Sequence, residues 1–68
     1  MPIDIMVNGE LRAVPDGATI LALLRQLQVD PARVAVELNR KIVKKPEWDT
    51  VALEPGSQVE IVQFVGGG

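Results

Sequence analysis

The sequence predicts an α+β domain in which a mixed sheet of four to five strands is covered by one main helix. Three observations predict this fold class. Apolar residues near both ends of the chain alternate with the period of half-buried strands, and one stretch between them has the period of an amphipathic helix. An Asn-Gly pair near the start has the composition of a tight hairpin turn.

The first predicted element is a β-hairpin. Residues 3–7 alternate between apolar and other side chains, and Leu11 and Ala13 are the apolar positions of a second half-buried strand. Asn8-Gly9 lies between them, and both residues tolerate the positive φ that a two-residue hairpin turn requires. The turn cluster Pro15-Asp16-Gly17 ends the hairpin.

An amphipathic helix is predicted next. Thr19 can cap it, because its hydroxyl can accept a hydrogen bond from an otherwise unpaired backbone N–H. Its apolar stripe has the spacing i, i+3, i+4 and i+7 and consists of Ile20, Leu23, Leu24 and Leu27. Val29-Asp30-Pro31 breaks the helix, and the stripe is expected to pack on the inner face of the hairpin.

The second half of the chain predicts short strands separated by turns. Residues 34–38 alternate as a third strand, and Ile42-Val43 is either its continuation or a fourth edge strand. Residues 46–49 are expected to form a brief helical turn in which Trp48 closes the core. The final strand is expected to begin near Val59.

This order of elements is that of a β-grasp, in which the last strand lies parallel to the first at the middle of the sheet. If Val59 and Ile61 face the helix, Val62 and Phe64 lie on the opposite, uncovered face, where an apolar patch usually marks a contact surface. We therefore predict that Val62, Phe64 and Val65 bind a partner. The alternative is that Phe64, the only Phe in the chain, completes the core.

The sequence ends in Gly66-Gly67-Gly68, directly after an apolar strand-like run. Glycine has no Cβ, so such a tail can extend through a narrow channel and place a terminal carboxylate at a catalytic centre. We predict a folded domain over residues 1–65 and a flexible tail over residues 66–68, with the carboxylate of Gly68 as the reactive group. The alternative is an end without function.

Composition argues against several classes of function. The chain has no Cys and no His, which excludes disulfides, removes the common nucleophile–base pairs and leaves no basis for most metal sites. We therefore expect that it is not an enzyme and binds no metal. A net charge of −2 disfavours nucleic acid as a partner. No apolar stretch approaches the length of a membrane span, so a cytoplasmic protein is expected.

Four segments of the second half carry recognisable motifs: Glu37 to Val43, Pro46 to Trp48, Gly56 to Val62 and Phe64 to Gly68. These motifs resemble those of the ThiS family of sulfur carriers in thiamin biosynthesis, and the resemblance covers essentially the whole chain. Two departures are Lys44-Lys45, where Pro-Arg is frequent, and Ser57, where Asp is frequent. The first leaves a partner contact at Lys45 open.

The resemblance implies a ubiquitin-like β-grasp fold and a division of chemistry between proteins. A ThiF-like adenylyltransferase would use ATP to convert the carboxylate of Gly68 to an acyl-adenylate. A persulfide on another protein would supply sulfur, and the resulting thiocarboxylate would serve a ThiG-like thiazole synthase. No cofactor is implied on this chain.

Three other functions remain open. A sulfur carrier of the same fold could serve molybdopterin synthesis or another acceptor, and only the acceptor would distinguish it. A non-covalent ubiquitin-like binding module would have no use for a terminal glycine. An enzyme is disfavoured by the absence of Cys and His.

Overall fold

In the computed structural model, which describes residues 1–64, five strands form one mixed sheet and an α-helix covers one of its faces. The elements are β1 (Pro2–Val7), β2 (Glu10–Pro15), α1 (Ile20–Leu27), β3 (Val34–Leu38), β4 (Lys41–Val43) and β5 (Gln58–Gln63). The strand order is β2-β1-β5-β3-β4, and β5 is parallel to β1 and antiparallel to β3. The predicted β-grasp is confirmed. The predicted boundary after residue 65 lies outside the described residues.

The β1–β2 hairpin turns at Asn8-Gly9, as the sequence predicts. Asn8 has a φ of 50° and Gly9 a φ of 82°, and Val7 pairs with Glu10 across the turn. Two successive positive φ values are those of the turn type whose twist matches that of the flanking strands. The short turn therefore determines the register of the whole hairpin.

That register corrects the sequence interpretation of β2. Leu11 pairs with Met6 and is 71% exposed, and Ala13 is exposed as well. Val14 pairs with Ile3 and is only 1% exposed, so it is the core residue of β2. Leu11 and Ala13 have the spacing of one strand face, but this spacing does not say which face lies inward; the turn length and the position of β1 decide it.

The helix α1 begins at the predicted cap. Thr19 Oγ1 accepts a hydrogen bond of 3.2 Å from Ala22 N, and Ile20, Leu23 and Leu24 are buried against the sheet. The helix ends before the predicted break, because Gln28 takes a left-handed conformation with a φ of 59°. No helix within residues 1–64 is long and apolar enough to cross a membrane.

Trp48 closes the core, as predicted. It is 3% exposed and its Nε1 donates a 2.9 Å hydrogen bond to Val43 O, so the polar end of the ring is paired inside the fold. It follows the short 3₁₀ turn Lys45–Glu47. The ammonium of Lys45 lies 5.9 Å from the centre of the Trp48 ring, within the range of a cation–π contact.

Leu11 and Val14 provide a direct test of the corrected face of β2. Replacing Val14 with Ala is expected to lower the free energy of unfolding by about 2 kcal/mol, because it removes buried hydrocarbon and leaves a cavity. Replacing Leu11 with Ala removes a larger but exposed side chain and should change it by less than about 0.5 kcal/mol. Denaturant unfolding followed by Trp48 fluorescence measures both. A larger loss for Leu11→Ala would contradict the assignment.

Candidate functional site

The candidate site is the uncovered face of the sheet at the C-terminal end of β5. Val59 is buried and Ile61 partly buried on the helix side, whereas Val62 is 54% exposed and Phe64 57% exposed. The predicted orientation of this strand is therefore confirmed. The alternative in which Phe64 completes the core is wrong. Whether Val62 and Phe64 bind a partner stays a prediction.

The backbone that presents these two side chains is bonded on both flanks. On one side β3 pairs with β5, with Ala35 opposite Val62, and Phe64 N donates a 2.7 Å hydrogen bond to Arg33 O. On the other side, Ile61 N donates to Asn8 Oδ1 at 2.8 Å. The small side chain of Ala35 leaves Val62 accessible. The end of β5 therefore presents exposed apolar side chains on a strand whose backbone is hydrogen-bonded on both sides.

The uncovered face carries two further large apolar residues that the sequence interpretation did not assign to it. Ile42 is 74% exposed on the edge strand β4, and Leu11 is 71% exposed on the opposite edge strand β2. Ile42 pairs with Glu37, which is on the same face as Val62 by its register with Glu60. Only the pairing register reveals the outward orientation of Ile42 and Leu11, because apolar residues in a strand are usually expected in the core.

Two carboxylates are opposed on the same face. Glu37 of β3 pairs directly with Glu60 of β5, and within residues 1–64 neither forms an ion pair. Like charges directly opposite each other on neighbouring strands destabilise a sheet slightly. The uncovered face therefore combines apolar side chains at the end of β5 with two negative charges, Glu37 and Glu60, next to Val62.

The described residues offer no obvious catalytic pair. Ser57, the one serine of the chain, is 6% exposed; its hydroxyl donates to Glu54 O at 2.7 Å and accepts from Glu54 N at 2.9 Å. Both bonds stabilise the turn before β5, so the hydroxyl is used structurally. The remaining predicted site residues, Val65 and Gly66 to Gly68, lie outside the described residues, and their roles stay predictions.

Comparison with known proteins gives concordant matches. The model of the ThiS family matches residues 5–68. A thiazole synthase of Paramagnetospirillum magneticum is 45% identical over 64 residues, which are 94% of this chain but only 20% of that protein. The sulfur carrier protein ThiS of Bacillus subtilis is 37% identical over 94% of this chain and 98% of its own length. The crystal structure of a thiamine biosynthesis protein (ThiS) from Geobacter metallireducens matches with a TM-score of 0.84 at 30% identity, covering 97% of this chain and 100% of that one.

The opposed carboxylates predict a gain in stability on charge reversal. Glu60→Lys is expected to raise the free energy of unfolding by about 0.5 kcal/mol, because it replaces a repulsive cross-strand pair with an attractive one. Glu10→Lys is the matched control, since it changes the net charge equally at an exposed position whose cross-strand partner, Val7, is uncharged. Denaturation at low salt and at about 1 M salt measures the difference, which screening should reduce. Equal effects of the two variants would show that the opposed pair costs nothing.

Proposed function

The chain belongs to the ThiS family, and we propose that it is a sulfur carrier of thiamin biosynthesis that carries sulfur on the carboxylate of Gly68. The observation that carries the proposal is the family match, which extends through Gly68. The relatives of similar length from Bacillus subtilis and Escherichia coli are both named sulfur carrier protein ThiS. The absence of Cys and His agrees with a carrier that is acted on by other enzymes.

The proposed chemistry begins with activation of a carboxylate, which is a poor electrophile because its oxygen is a poor leaving group. A separate ThiF-like adenylyltransferase transfers AMP from ATP to the carboxylate of Gly68 and releases pyrophosphate. AMP is then the leaving group: the terminal sulfur of a persulfide on a donor protein attacks the acyl carbon, and AMP is released as an acyl disulfide forms. A second thiol then attacks the donor's sulfur in that disulfide, which forms a new disulfide with the donor and releases the thiocarboxylate of Gly68. Because activation consumes ATP, we propose that the carrier works in the cytoplasm.

Recognition is proposed to be separate from chemistry. The exposed side chains of Val62 and Phe64 provide apolar area for binding, and they lie on β5 a few residues before the glycine tail. Phe is among the aromatic residues that are enriched in the cores of protein interfaces. The folded face would therefore supply affinity, while Gly66, Gly67 and Gly68 supply reach, because glycine adds no side chain that a narrow channel must accommodate.

The proposed sulfur acceptor is a ThiG-like thiazole synthase. Two relatives, 45% and 39% identical to this chain, are named thiazole synthase, and the chain spans 20% of the length of each. Similarity to part of a thiazole synthase supports a functional link between the carrier and that enzyme. A carrier for molybdopterin synthesis has the same tail chemistry, so only an assay with the acceptor enzymes separates the two.

Sulfur loading tests the proposed chemistry. Incubation with ATP, a ThiF-like enzyme, a persulfide donor and a thiol reductant is expected to exchange one oxygen for sulfur in the C-terminal tryptic peptide. That peptide begins after Lys44 and contains no methionine, but it contains Trp48, whose oxidation adds a nearly equal mass. Fragment ions must therefore place the mass change in the C-terminal residues and not at Trp48. Peptide mass spectrometry makes the measurement, and the intact mass of the native protein establishes whether it ends at Gly68.

A chain without Gly68 is the control for sulfur loading, and its circular dichroism should match that of the unmodified chain. Efficient loading of the shortened chain would refute the assignment of Gly68. Transfer to thiazole synthase but not to molybdopterin synthase would support the thiamin acceptor, and the reverse would replace it.

Phe64 provides the test of recognition. Phe64→Lys is expected to weaken binding to the adenylyltransferase about 30-fold, because it removes an aromatic anchor, while the free energy of unfolding changes by less than about 0.5 kcal/mol. Leu11→Lys is the control, since Leu11 is more exposed than Phe64 and lies on an edge strand of the same face. It should change affinity less than about threefold. Calorimetric titration measures both affinities. Equal losses of affinity in the two variants would show that the binding surface is not at the end of β5.

A further inference from the structure

The side of β5 that faces β1 is only partly covered by that strand. β1 pairs with β5 at two positions, Met6 with Gln58 and Val7 with Val59, although β5 continues to Gln63. The chain leaves the sheet at Asn8 to form the hairpin turn. Beyond that point a cleft of about 280 Å³ opens beside Asn8, Ile61 and Gln63. The second half of β5 therefore lacks a neighbouring strand on this side.

The side chain of Asn8 takes the place of the missing strand. The backbone N of Asn8 donates to Val59 O at 2.9 Å. The next bonds along this side of β5 come from its carboxamide: Oδ1 accepts from Ile61 N at 2.8 Å, and Nδ2 donates to Ile61 O at 3.2 Å. A carboxamide has the same acceptor and donor as a peptide group. It thus continues the hydrogen-bond ladder by one step where the backbone turns away.

We infer that Asn8 is a positioning residue for sulfur loading, because its carboxamide holds Ile61 and thereby fixes the end of the strand that precedes Gly68 in the sequence. This inference rests on the proposed function. The other flank is held by β3 and by the bond from Phe64 N to Arg33 O. With Asn8 in place, both flanks of the strand end are bonded; without it, one flank of residues 61–63 is open.

The consequence concerns delivery of the carboxylate and not affinity. Asn8 is not part of the Val62 and Phe64 surface, so binding to the adenylyltransferase should not depend on its carboxamide. Placement of the reacting carboxylate should depend on it, since small displacements of a reacting group cost large factors in rate. The expected signature is a fall in kcat with little change in KM.

The fold contains a matched control at the other end of the same strand. Asn39 also occupies the first position of a two-residue hairpin turn, with a φ of 52°, and its Oδ1 accepts from Gln58 N at 2.9 Å. Its carboxamide therefore holds the start of β5, far along the chain from Gly68. Glycine tolerates the positive φ at both positions, so Asn8→Gly and Asn39→Gly each remove a carboxamide while preserving the turn.

The experiment compares the two variants with the unmodified protein. Amide hydrogen exchange is expected to speed up about 10-fold at Ile61 in Asn8→Gly and at Gln58 in Asn39→Gly. Adenylation by the ThiF-like enzyme, measured well below both unfolding transitions, is expected to show kcat reduced about 10-fold in Asn8→Gly with KM unchanged. In Asn39→Gly, kcat should stay within about twofold. If Asn8→Gly does not fold, Asn8→Asp, which keeps the acceptor and loses the donor, should show a smaller fall in kcat.

Each other outcome overturns the inference. Equal losses of kcat in the two glycine variants would mean that Asn8 acts only through stability, and unchanged exchange at Ile61 would mean that its carboxamide does not hold the strand. Failure of the unmodified protein to be adenylated would remove the proposed function, and this inference with it. If the unmodified protein is adenylated and both variants have equal kcat, the role of Asn8 is contradicted and the proposed carrier function still stands.

Discussion

The pairing of β5 between two hairpins is the constraint on which the rest of the fold depends. β5 comes last in the chain but lies at the centre of the sheet, parallel to β1 and antiparallel to β3. β1 turns away before β5 ends, and β3 turns away at the start of β5. Each turn begins with an asparagine whose carboxamide bonds to the β5 backbone, Asn8 at Ile61 and Asn39 at Gln58. The same residue type meets two needs, because Asn tolerates positive φ in the turn and its side chain resembles a peptide group.

The second constraint is that one short helix cannot cover both faces of a five-stranded sheet. α1 buries Ile20, Leu23 and Leu24 against the inner face, and Trp48 and Leu53 complete that core. The outer face then keeps apolar side chains on strands at the centre and both edges, among them Val62 and Ile42. In a small domain such a face costs solubility, which is the physical reason to regard it as a surface for association.

The sequence was informative where a residue has one dominant physical role. Asn8-Gly9 predicted the hairpin through positive φ, and Thr19 predicted the helix start through its hydroxyl, and both are observed. The alternation from Val59 to Phe64 predicted which side chains leave the core, because strand period is two and one face was already assigned to the helix. The sequence was misleading at Leu11, where alternation is the same for either face and the register decides.

The sequence by itself determined the order of the elements, the hairpin turn, the helix cap, the exposed end of β5 and the family motifs, because these depend on local conformational preference and on periodicity along the chain. Only the tertiary structure decided that Val14 and not Leu11 enters the core, that Glu37 opposes Glu60, and that the Asn8 carboxamide replaces a strand beside Ile61. Those facts join residues as many as 53 positions apart. They depend on strand register, which is set by all the pairings of the sheet together and not by any one segment.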